Sequence, residues 1–240
     1  MARDADLGTR ARSSGDGSPR RHRPLRWLLG AAAVVVVLVV LAVALFLRQP
    51  APPPLTLAGT AAAAPAGPLD GTWNVAAGSL AGFRVQETVL GLSNDVVGRT
   101  GAVTGDIVIS GGRVTAAAFR IHLTAVRVGG KTQPQFGRSL GAQAHPSATF
   151  TLAPPAALSP GFASGAAVTM AAAGHLAMHG TSRLVNCTIT ARRDGPVLQA
   201  AGSIPVAFAR WGSSRPAGFA FLGSLASRGA AEFLLVLRRH

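Results

Sequence analysis

Two histidines four residues apart, His175 and His179 in the run Gly174-His175-Leu176-Ala177-Met178-His179-Gly180-Thr181, are the side chains whose types and spacing most invite a chemical reading. On a helix they would share a face and could grip a metal. Leu176 and Met178 alternate with their neighbours as in a strand, however, where four residues span about 13 Å, beyond common coordination, and no carboxylate lies in the run. They therefore read as exposed strand histidines, with no metal. Cys187 is the single cysteine; it excludes an intramolecular disulfide and a cysteine-cluster zinc site. It alternates with Val185 and Ile189, which makes it a buried, inert thiol. Glu87 has inward parity between Val85 and Val89, so it either meets a polar group at the mouth of an apolar enclosure or is turned outward by a bulge. The chain has no G-x-S-x-G elbow, no H-E-x-x-H, no P-loop and no G-x-G-x-x-G after a strand. A non-catalytic protein without a cofactor is expected.

The 240 residues are 48% hydrophobic and 13% charged, enough to bury a sizeable core in one domain. Net charge is +14, and of the 23 basic residues all but Lys131 are Arg. From Asp70 onward, fifteen basic residues face six acidic ones, a net of +9. Tyr is absent and aromatics are 5%, so stacking platforms for single-stranded nucleic acid are poorly supplied, and no nucleic-acid partner is expected.

Trp27 to Leu47 is 21 residues without a charge or a proline. As a helix it reaches about 31 Å, matching a hydrocarbon core of about 30 Å. It exceeds the apolar region of about 7–15 residues in a secretory signal peptide, which favours an uncleaved anchor over a leader. Arg20, Arg21, Arg23 and Arg26 precede it and only Arg48 follows closely, so the positive-inside rule places the N-terminus in the cytoplasm and the rest outside. The expected organisation is a basic cytoplasmic tail over 1–26, a transmembrane helix over 27–47, a Pro/Ala-rich linker over 48–69 and an extracytoplasmic domain over 70–240, on a single-pass protein of the plasma membrane.

Beyond Asp70 the hydrophobic period is 2. Phe83, Val85 and Val89 alternate with Arg84, Gln86 and Thr88; Val103, Ile107 and Ile109 with Thr104, Asp106 and Ser110; Phe119, Ile121 and Leu123 with Arg120, His122 and Thr124. Such alternation marks half-buried strands, and Gly111-Gly112 suits a tight hairpin turn between the second and third. Further runs around Phe150, Val168–Met178, Val185–Ile189, Leu198–Phe208 and Phe233–Leu237 bring the total to eight. A helix is hinted only over 132–144. Eight antiparallel strands lose their exposed edges most economically by closing into a barrel, although a two-sheet sandwich shares the local pattern. A barrel of this size can be filled by side chains or hold one small ligand. Ala116, Ala118, Ala125, Ala172, Gly174, Ala200 and Gly202 suggest an underpacked interior, unless the strands simply collapse closer.

Read in order, Trp73, Phe83-Arg84-Val85, Val97-Gly98-Arg99-Thr100 with Val103-Thr104-Gly105, His145-Pro146-Ser147-Ala148-Thr149-Phe150 and the Gly174–Thr181 run resemble the YceI-like family, as do SIPVAFARWGSSRP and the closing AEFLLVLRR. The resemblance covers about residues 71–238. It implies a lipocalin-like antiparallel barrel whose apolar interior holds a polyisoprenoid or related lipid. Family members often carry an Arg-Asp pair in the loop before the Pro-x-x-x-Phe strand; here that loop reads KTQPQFGRSLGAQAH, with no acid.

The fold expected is thus all-β: an eight-stranded antiparallel lipocalin-like β-barrel preceded by one transmembrane helix. Phe83, Val85, Val103, Ile107, Phe119, Ile121, Phe150, Leu176 and Met178 are its expected apolar lining, with Arg84, Thr104, Arg120 and His175 on the other face. The expected function is non-catalytic binding, carriage or sequestration of an isoprenoid or other long-chain lipid in the cell envelope. The alternative is an interaction protein that docks acidic wall polymer or a protein partner through its basic surface. Isoprenoid quinone, polyprenyl phosphate carrier and fatty acyl chain would all satisfy an apolar tunnel, and no residue pattern speaks to the oligomeric state.

Overall fold

The alternating stretches Val103–Ser110 and Arg113–His122 pair antiparallel across Gly111 and Gly112, whose φ angles of 57° and 70° are the two positive values that a tight hairpin turn requires. The computed structural model describes residues 33–41, 43–45, 51–60, 63–89, 91–212 and 223–239. The chain forms two compact units, Met1–Gln49 and Pro50–His240. In the first, residues 33–41 and 43–45 are helical, and Val34 to Leu41 expose their side chains. Among the described residues no helix is long and apolar enough to cross a membrane. The expected span over 27–47 lies partly outside the described residues, and the tail over 1–26 wholly so.

The second unit is a single antiparallel sheet. Its strands are β1 (Gly71–Val75), β2 (Leu80–Val89), β3 (Leu92–Thr100), β4 (Val103–Ser110), β5 (Arg113–His122), β6 (Arg127–Val128), β7 (Lys131–Thr132), β8 (Ser147–Leu152), β9 (Ala156–Ala157), β10 (Val168–Met178), β11 (Thr181–Asp194), β12 (Val197–Ala207) and β13 (Gly223–Arg238). One short helix, α1 (Pro134–Ser139), stands where the helical hint fell. Eight strands close a ring in the order β1-β4-β5-β8-β10-β11-β12-β13, sealed by Asn74 opposite Arg238 and Val75 opposite Leu237. The alternation left barrel and sandwich open; the β13–β1 pairing makes it a barrel, with no free edge in the ring.

Three of the ring strands are interrupted. β2 continues the course of β1 along β13, β3 pairs with β2 ahead of β4, and β6 prolongs β5 against β3. The barrel thereby has two distinct ends. Turns at Gly111-Gly112 and Gly195-Pro196 lie at the lower end; the β2–β3 tip, the His179-Gly180 turn and the segment 123–146 lie at the upper end.

Residues 51–60 and 63–69 form no strand, and they are held against the barrel by arginines. Arg84 and Arg99 donate to the carbonyls of Pro52 and Pro53, Arg192 to those of Ala58 and Gly59, Arg193 to those of Ala66 and Gly67, and Arg239 to that of Pro68. Prolines cannot donate backbone hydrogen bonds, so a Pro-rich strip offers mainly acceptors, and guanidinium groups are the matching donors. The strip starts near the β2–β3 tip and ends at the lower end, where Trp73 Nε1 donates to Leu69 O at 2.9 Å.

Candidate functional site

Inward side chains of the ring strands enclose an apolar cavity of about 210 Å³. Its floor is a packed cluster of Trp73, Ile109, Phe162, Leu198 and Leu237. Its wall includes Ala117, Ala148, Ala172, Cys187 and Ile189, small or medium side chains that leave the axis open. At the upper end Leu123, Val126 and Leu140, all from the segment 123–146, close over it beside Phe83 and Met178. A water's share of liquid volume is about 30 Å³, so the cavity takes about seven water-sized groups. A methylene is of comparable size.

The interior is shaped by rings laid over glycines. Phe83 sits opposite Gly98, Phe119 opposite Gly105 and Phe233 opposite Gly202. The Phe83 ring leaves no room for a side chain at Gly98, the Phe150 ring none at Gly174, and the Phe233 ring none at Gly202. The rings thus lie flat against the wall, which aromatic–glycine pairing across strands permits, and they narrow the cavity without plugging it. Gly174 and Gly202 therefore serve as seats for rings.

Of the nine expected lining residues, Phe83, Val103, Ile107, Phe119, Ile121, Phe150, Leu176 and Met178 border the cavity. Val85 does not. It is buried on the inward side but packs above the cavity with Val96, Val128 and Leu225, because β2 rises past the cavity's upper limit at Phe83. Thr104, Arg120 and His175 are exposed, and Arg84 is half-buried on the outer face. Ala116, Ala118 and Ala125 are exposed rather than inward. In β5 the alternation itself sets Ala116 and Ala118 on the face of Arg120; the bulge where the pairing shifts between Val108 and Ile109 acts on Val114, which shares their parity yet lies against the cavity with Ala117.

Cys187 is buried in the wall, and its thiol donates weakly to Ala172 O at 3.5 Å. Burial raises its pKa, the hydrogen bond opposing only in part, so the sulfur stays protonated and unreactive. Glu87 keeps its inward parity, is buried and has an interaction partner, in the layer above the cavity; the outward alternative is not taken up. His175 is exposed on β10 as expected, but His179 is not a strand residue. It holds the turn to β11 at φ 52°, its ring tilted 50° against that of His145 with centroids 5.7 Å apart. Among the described residues no three His, Cys, Asp or Glu side chains gather as a metal site.

Outside the barrel, Glu232 is buried under the proline strip. Arg84 Nε donates to it at 2.6 Å and Arg84 Nη1 to Asp95 at 2.9 Å, while Arg99 Nη2 lies 3.7 Å from its second oxygen. Burial disfavours the Arg84 charge, but hydrogen bonds and attraction from Glu232 and Asp95 outweigh it and raise the pKa. Alternation could have found Ile189, Leu198, Ile204 and Leu235 for the lining. Leu140 and Phe162 come from outside the long strands and have no sequence signal.

A domain model described as the YceI-like domain matches residues 73–230. Among solved structures, a polyisoprenoid-binding domain from Saccharophagus degradans implicated in plant cell wall breakdown superposes with a TM-score of 0.56 at 16% identity, covering 71% of this chain and 99% of that one. BcnA of Burkholderia cenocepacia matches with a TM-score of 0.46 at 16% identity, over 64% of this chain and 95% of its own. No curated protein matches the sequence.

Proposed function

Since the chain belongs to the YceI-like family, matched over residues 73–230, we propose that its barrel binds one long apolar lipid chain of the polyisoprenoid type, without covalent chemistry. The observation that carries this is the cavity of about 210 Å³ lined almost wholly by aliphatic and aromatic side chains. A void of that kind is unfavourable for water and costs packing contacts if left empty, whereas each methylene buried in it contributes about 0.8 kcal/mol. About seven groups correspond to one or two five-carbon units. Among the described residues, only Gln199 and Glu232 of the lining are polar, and the Glu232 carboxylate pairs with Arg84, so a polar head stays outside. The reported ligand class of the Saccharophagus domain, whose fold this barrel shares, supports the same reading.

Residues 27–47 anchor the protein in the plasma membrane, with the N-terminus cytoplasmic and the barrel in the envelope; the uncharged 21-residue run after an Arg cluster supports this. Docking of acidic polymer gains no support from the arginines as a whole, because Arg84, Arg99, Arg192, Arg193 and Arg239 hold the proline strip. The test is titration of the delipidated full-length protein with a dansyl-labelled isoprenoid alcohol of two units. Enhanced, blue-shifted emission that saturates at one probe per chain is expected. Absence of any enhancement refutes the reading.

A further inference from the structure

Four features meet at the upper end of the barrel. The proline strip begins there: Ala51 to Pro54 lie against Gln86, Ser93, Asn94 and Asp95, within a few rungs of the β2–β3 tip. Leu92 stands on that tip with 54% of its surface exposed; it and Leu184, at 56%, are the only large apolar side chains so exposed among the described residues of the barrel unit. The cavity is closed at this end by side chains of the 123–146 segment, whereas its floor is a packed strand cluster. Finally, Arg120, Arg127, Lys131 and Arg138, together with Arg183 and Arg210, are all exposed on strands and loops of this end. Asp70, Asp106 and Asp194 lie toward the other end, and Asp95 at the upper end is paired with Arg84.

We propose that the upper end, with the β2–β3 tip foremost, docks on the surface of an anionic lipid bilayer, and that lipid passes there between bilayer and cavity. The inference rests on the lipid-binding and anchoring reading above and adds to it a face and a headgroup charge. Chain length supports it. Leu47 ends the apolar run four residues before Ala51, so covalent geometry keeps the two within about 14 Å, and Ala51 is fixed at the upper end. A basic face is drawn to anionic headgroups at about 1 kcal/mol per residue near the surface, and Leu92 supplies an apolar contact that a soluble polyanion would not use.

The test uses the full chain in nanodiscs, with Cys187→Ala to remove the native thiol and an environment-sensitive fluorophore on a cysteine at Leu92→Cys or, at the lower end, Thr115→Cys. The label at 92 is expected to shift to the blue and lose emission to doxyl-labelled lipid, more on discs containing phosphatidylglycerol than on pure phosphatidylcholine. The label at 115 should do neither. An unquenched label at 92 on chains that are embedded in the disc overturns the docking and leaves the anchor standing. Chains that fail to embed overturn the anchor and the docking with it, while the isoprenoid titration still reports on lipid binding. A blue shift at 92 produced by soluble acidic polymer without lipid overturns the bilayer in favour of the polymer.

Discussion

Ala117 and Ala118 are neighbours on β5 with opposite fates: Ala117 is buried against the cavity, and Ala118 is exposed. Replacing either by Phe adds the same six-carbon ring, but only at Ala117 does the ring enter ligand space. Six of the roughly seven groups the cavity accepts would be displaced, and at about 0.8 kcal/mol per methylene the loss is about 5 kcal/mol, or some three powers of ten in affinity. Overpacking of a filled core typically costs about 1–3 kcal/mol; here the ring enters open space, so the melting temperature of the delipidated protein should hold or rise. The assay is the isoprenoid titration run on wild type, Ala117→Phe and Ala118→Phe. Ala117→Phe should abolish binding of two-unit chains, and Ala118→Phe should lie within about a factor of two of wild type, as exposed substitutions do. Equal losses in both, or none in Ala117→Phe, would refute the position of the cavity.

Glu232→Ala should cost about 3 kcal/mol in denaturant unfolding, because it leaves Arg84 and Arg99 half-buried without their shared counter-charge; it should also expose residues 51–60 to protease, and a loss below 1 kcal/mol would remove the ion cluster as the fastener of the strip. Burial keeps the Cys187 thiol protonated in the fold where the unfolded chain has lost its proton, so stability contributed by the thiol is present below about pH 8.5 and falls as pH rises above it. Unfolding measured from pH 7 to 10 should show that decline in wild type and lack it in Cys187→Ala. Trp73→Ala, at the fully buried floor, should cost about 3–5 kcal/mol by the same denaturation assay, and a cost under 1 kcal/mol would mean the floor is not packed.

Period-2 alternation carried much of the fold because it reports which side of a sheet a residue faces. It found β4, β5, the Gly111-Gly112 turn and eight of the nine lining positions. It does not report depth along the barrel axis, which is why Val85 shares the inward side yet lies above the cavity. Nor does it survive a bulge: the slip at Val108 and Ile109 turns Val114, of the same parity as Ala116 and Ala118, to the cavity, whereas Ala117 simply shares the parity of Phe119 and Ile121. β3 escaped notice because Val96 and Val97 are both buried, so its two faces are alike in hydropathy. The proline strip was the least legible element. Its composition is that of a spacer, and what fixes it is a set of arginines up to 171 residues away, a kind of contact with no local signature.

The central claim is that the cavity holds an apolar chain in the protein's native state, and native mass spectrometry of the full-length protein, gently purified and washed in about 1 M salt, tests it most directly. Exposed ion pairs are screened within about 3 Å at that ionic strength, whereas burial of an apolar chain is not weakened by salt. The expected spectrum carries one added mass per chain, released by organic solvent and identified as a long-chain lipid. A bare polypeptide mass before and after the wash, joined by salt-sensitive binding of acidic polymer, would contradict it.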